Sequence, residues 1–174
     1  NLVAAGGVGT GATASVLGIV NTGVTTAGNL LSQNLIHALS NTNPTAAVTV
    51  MGVNWNGSTA ASNVVERNFI HSLSSASTSA TAIVNGIFIT AGTSTYRNNM
   101  IVLGNEMTAN SPQINGINET AVGTDNFFHN SVFIGGAGVA AGTANSFAFQ
   151  SSIITNVRNY RDNVFFNARS NAGA

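Results

Sequence analysis

The side chains of this 174-residue chain that can move protons or hold ions are few: the acids Glu66, Glu106, Glu119, Asp125 and Asp162, five arginines, and His37, His71 and His129. Hydrolysis of a glycosidic bond needs two carboxylates flanking one sugar, and elimination from an acidic sugar needs acids holding Ca²⁺ beside a base. The five acids are spread over a hundred residues with no shared spacing, so no catalytic constellation is expected and the chain reads as a non-enzyme. His37 and His71 stand 34 residues apart in matching phrases, NLLSQNLIHALS and NVVERNFIHSLS. Two imidazoles with no third ligand make a poor metal site, so neither metal nor cofactor is expected.

The elements that must carry these residues follow from composition. Charged residues make up 6% of the chain, net charge is zero and lysine is absent, which offers no basic surface to nucleic acid or anionic lipid. No window approaches 18 uninterrupted apolar residues, so no membrane insertion is expected. A 44% hydrophobic content disfavours disorder, and the Asn, Ser, Thr and Gly that supply the polarity favour strands and turns over helices. Zero cysteines exclude a disulfide framework. The expectation is an all-β domain spanning residues 1–174, read as a piece of a longer chain or a filament subunit.

The echo between the two histidine phrases is a repeat. Anchored on asparagine, it runs through Asn34, Asn68, Asn99, Asn130 and Asn163 at intervals of 34, 31, 31 and 33 residues. Three positions before the anchor stand Leu31, Val65, Tyr96, Phe127 and Tyr160; two after it stand Ile36, Ile70, Ile101, Val132 and Phe165. Both columns are expected to be buried. A second motif precedes each anchor: VLGI, VMGV, VNGI and INGI, with SFAF as a degenerate fifth copy. Apolar residues three apart cannot share one face of a straight strand, so Gly18, Gly52, Gly86 and Gly116 are expected at a bulge or corner.

Each unit therefore holds three short strands, and stacking the units in parallel predicts a right-handed parallel β-helix of about five coils. The anchor asparagines are expected to be scaffold: each tolerates left-handed backbone at a corner, and its amide can donate and accept along a stack of identical amides. The phrases NNMIVLGN, NFFHNSVFIGG and NYRDNVFFNARSN resemble the Asn-anchored parallel β-helix repeats of large secreted or cell-surface proteins of Bacteroidota-type bacteria, whose parents bear a sorting domain. That resemblance covers nearly all of the chain and implies extracellular or cell-surface placement.

The same frame assigns the remaining chemistry. Glu66 faces Arg97 on the next coil, and Asp125 faces Arg158, as exposed pairs that fix register. His37, His71, Val102, Phe133 and Phe166 form one column three after the anchor, a strip that could stack on sugar rings or lie under a loop. Threonines cluster in unequal loops, which excludes a regular ice-binding array, and the sequons at Asn56 and Asn118 are short enough to occur by chance. Neither end carries an obvious cap, so partners are expected to be further coils or copies of the chain itself. The function expected is a structural or interaction segment: a stalk, an adhesin section or a head-to-tail filament subunit. A polysaccharide-binding or polysaccharide-degrading β-helix is the competing reading.

Overall fold

A computed structural model describes residues 2–3, 7–11, 15–23, 27–59, 62–107, 112–136 and 144–170. Every pairing of strands among them is parallel, and the described residues contain no helix. Three faces wrap one core. The first stacks Val16–Asn21, Thr49–Asn56, Ile83–Ala91, Gln113–Glu119 and Ser146–Ser151. The second stacks Leu30–Ser32, Asn63–Glu66, Ser94–Arg97, Asn126–Phe128 and Asn159–Arg161. The third begins with Leu2–Val3 and continues through Leu35–His37, Phe69–His71, Met100–Leu103, Ser131–Ile134 and Val164–Asn167. A two-stranded patch, Ser40–Asn41 with Ser74–Ser75, joins the first two rungs. The fold is a parallel β-solenoid with three strands per coil and five strands on each of its first two faces, so the chain makes about four full turns between the first rung and the fifth.

Both expected columns line the interior, except that Tyr160, on the last rung, is 47% exposed. Ile36, Ile70, Ile101 and Val132 are buried against Val65, Tyr96 and Phe127, and the rings of Tyr96, Phe127 and Tyr160 stack at 5.0 and 5.4 Å. Phe149 packs edge-on against Phe127 and Tyr160 and stacks on Phe165, extending the aromatic core into the fifth rung. Offset stacks of this kind add to the area each ring buries.

The first face bends where the glycines stand. Val50 pairs with Val84 and Val53 with Ile87, and all four side chains are buried although the two pairs are three residues apart. The bend brings the glycine against the carbonyl of the next rung. A Cβ on Gly86 would lie 2.5 Å from the Gly116 oxygen and 2.8 Å from Ile101, and one on Gly52 would lie 2.7 Å from the Gly86 oxygen. The equivalent residue on the fifth rung is Ala148, in a strand at the edge of its sheet.

The corner between the second and third faces departs from expectation. The left-handed residues are Gln33, Arg67, Asn98, His129 and Asp162, with φ between 51° and 60°, each one position before an anchor asparagine. The turn is made by the preceding residue, and the asparagine follows it to satisfy the groups that the turn exposes.

Candidate functional site

Two groupings of chemically capable residues emerge, one in the wall of the solenoid and one on its outside. The amide ladder is the frame for both. Asn34, Asn68, Asn99 and Asn130 each donate Nδ2–H to the Oδ1 of the anchor one rung on, at 2.9, 3.0, 2.9 and 3.0 Å. Each also donates its backbone N–H to that same oxygen, at 2.9–3.1 Å. From the second rung onward the other Nδ2–H reaches back to the carbonyls of Leu31, Val65, Tyr96 and Phe127. Buried amides must be satisfied in this way, and the interior Asn68, Asn99 and Asn130 are fully so.

On the outside, His37, His71, Val102, Phe133 and Phe166 form one column of the third face. The His37 and His71 rings lie 5.2 Å apart and nearly parallel, and those of Phe133 and Phe166 are 5.8 Å apart and tilted. Beside them runs a second outward column of Leu35, Phe69, Met100, Ser131 and Val164. Met100, Phe166 and Val164 are 50%, 55% and 60% exposed, so the described loops do not cover this strip. A shallow groove of about 230 Å³ runs between Met100, Val102, Phe133, Val164 and Phe166. The strip carries no Asp, Glu, Lys or Arg. His129 projects from the neighbouring corner, 3.7 Å from Asp162, and does not join the histidine pair. Among the described residues no group of three or more His, Cys, Asp or Glu side chains could hold a metal ion.

The charge pairs resolve differently from one another. Arg97 Nε donates to Glu66 Oε2 at 2.6 Å, with Ser32 Oγ on the other oxygen, and the guanidinium holds the Glu66 carboxyl below its ordinary value of 4.5. Asp125 and Arg158 share a column, but Arg158 does not bond to Asp125. Its Nε donates to both oxygens of Glu119 at 2.8 Å, and the pair is almost sealed, with side chains 6% and 0% exposed. The expected exposed pair is thus a buried one with a different acid. Glu119 ends a first-face strand on the fourth rung, and Arg158 reaches it diagonally from just before the last second-face strand.

Asp125 lies in the same cluster. Its Oδ1 accepts the Ser94 N–H at 2.7 Å, and Ser94 Oγ accepts the only indole N–H, that of Trp55, at 3.1 Å. Burial and the neighbouring Glu119 push the Asp125 carboxyl up from 3.8 to about 7. Burial and Asp125 push the Tyr96 phenol well above its usual range as well. Arg169 fills a third role: Nη1 donates to the carbonyls of Gly104 and Gly135, and Nη2 to that of Met107, which ties the loops after the third face together.

No family model matches the sequence, and no curated protein or solved structure matches it either.

Proposed function

We propose that the chain is a structural and interaction segment: a stiff β-helical section of an extracellular or cell-surface bacterial protein, without catalysis of its own. One observation carries this reading. Glu119 and Asp125, two acids packed together in the solenoid, are sealed inside its wall against Arg158 and serve to join rungs. A carboxylate that cannot meet solvent cannot protonate a glycosidic oxygen or activate water. Glu66 is likewise held by Arg97. The likeness of the Asn-anchored phrases to surface β-helix repeats supports the extracellular placement, and the rung-on-rung bonding supports partners that are themselves rungs: flanking coils or copies of the chain.

The second reading, a polysaccharide-binding β-helix, is favoured by the outer strip alone, where rings pair on the first two and the last two rungs. The test is a panel of neutral and acidic polysaccharides assayed for new reducing ends and for binding, run beside light scattering of the purified chain over a wide concentration range. The structural reading expects no cleavage and concentration-dependent self-association. Cleavage that Glu106→Gln or Glu119→Gln abolishes would overturn it, and glycan binding lost in Phe133→Ala or Phe166→Ala would move the assignment to the second reading.

A further inference from the structure

We propose that Asp125, Glu119 and Arg158 form a proton-dependent clasp that holds the fifth rung to the fourth and loosens as the pH rises towards neutrality. The geometry requires a proton. Glu119 already accepts Arg158 Nε on both oxygens and Ser151 Oγ, at 2.5 Å, on Oε2. Asp125 Oδ1 is occupied by the Ser94 N–H, while its Oδ2 is buried and has no donor among the described residues. The carboxyl that neighbours Asp125 is that of Glu119, itself an acceptor. Two ionised carboxylates beside one guanidinium would leave a net negative charge cut off from water. A proton on Asp125 Oδ2 turns it into a donor to Glu119, satisfies the stranded atom and brings the cluster to zero charge.

The groups facing Asp125 come from every neighbouring element. They are Glu119 from the end of the first face, Arg158 from the fifth rung, the Ser94 N–H and the Tyr96 phenol from the third rung, and Tyr160 from below. Arg158 also donates to the carbonyls of Asn156 and Ala121, so its placement depends on the cluster staying closed.

The sign follows from the raised carboxyl. The folded chain holds a proton that the unfolded chain releases, so the favourable contribution is complete below about 3.8 and is lost as pH climbs to about 7. Across that interval the folding constant falls by up to about tenfold per pH unit, and above it the contribution is gone. Asn63 occupies the equivalent position on the second rung, accepting the Asn29 N–H on Oδ1 and donating through Nδ2 to the carbonyls of Ser58 and Thr93. Asparagine therefore fits this place, and Asp125→Asn supplies a donor that no base can remove.

Three measurements test the clasp. The Asp125 carboxyl carbon, followed by NMR, is expected to titrate near pH 7; titration near 4 overturns the proposal. Urea unfolding of the wild type is expected to weaken between pH 5 and 7 while Asp125→Asn shows a flat profile; parallel profiles overturn it. Amides joining the last rungs, such as Asn159 to the Asp125 carbonyl, should lose exchange protection between pH 5 and 7 relative to Phe69 on Asn34. Equal change at both places, after correction for intrinsic rate, also overturns it.

Discussion

Replacing Asn99 by alanine tests the amide ladder where it is fully buried. Four hydrogen bonds end on this side chain: two received from Asn68, through N–H and Nδ2–H, and two given to Asn130 Oδ1 and the Val65 carbonyl. At about 1 kcal/mol net for each, their loss costs about 4 kcal/mol, and stranding the Asn68 N–H in the interior adds about 1–3 kcal/mol. That total is comparable to the whole stability of an ordinary domain, about 5–15 kcal/mol. Asn34 is the internal control: half-buried on the first rung, it donates to Asn68 Oδ1 and to the Ser32 carbonyl, and its removal should cost about 1–2 kcal/mol. Urea unfolding followed through the single tryptophan, buried Trp55, reports both. Asn99→Asp should be at least as damaging as Asn99→Ala, because its second oxygen would meet the Val65 carbonyl and Asn130 Oδ1 where an N–H now stands. If Asn99→Ala and Asn34→Ala fall within about 1 kcal/mol of each other, the ladder is not cooperative support for the interior and the reasoning fails.

Three further substitutions probe the bend and the Glu66–Arg97 pair, expected to be exposed but with a buried carboxylate under a half-exposed guanidinium. Gly86→Ala should lower the melting temperature sharply, since its Cβ would lie 2.5 Å from a backbone oxygen, whereas Gly11→Ala, with open space around it, should melt like the wild type; equal melts would refute the bend. Glu66 has a carboxyl held low by Arg97, so its contribution is present above the ordinary value of 4.5 and is lost as pH falls through the folded value; Glu66→Gln should flatten the acid limb of a stability profile, and an unchanged limb would count against the pair.

The columns were legible because a solenoid repeats chemistry rung by rung. Leu31, Val65, Tyr96 and Phe127 share one environment, and so do Ile36, Ile70 and Ile101, so spacing alone found the core and the outer strip of His37, His71, Phe133 and Phe166. The left-handed corner was misplaced by one residue for a reason visible in the types that occupy it. Gln33, Arg67, Asn98, His129 and Asp162 have no chemistry in common, and the repeating asparagine beside them carried the only signal. The buried clasp escaped for another reason: a column relates residues 31–34 apart, while Arg158 and Glu119 are 39 apart and meet along a diagonal that only an extended guanidinium can span. The one hint was that Glu119 follows the fourth Gly motif, where Trp55 and Ile89 mark the same register as interior.

The orientation of the backbone bonds sets how such a rod would yield to force. Each strand lies across the solenoid axis and its hydrogen bonds run along it, so a pull applied at the two ends loads those bonds along their own direction. Only the outermost rung bears that load at first, and it can peel away while the rungs behind it stay closed. A coil of 31–34 residues then pays out about 110 Å of slack chain at about 3.3–3.6 Å per residue before the next coil is stressed. Under tension the rod therefore lengthens in a train of similar steps and absorbs work at each one, like a shock absorber. Pressed or bent, it bears on closed stacks of rings and amides and stays stiff.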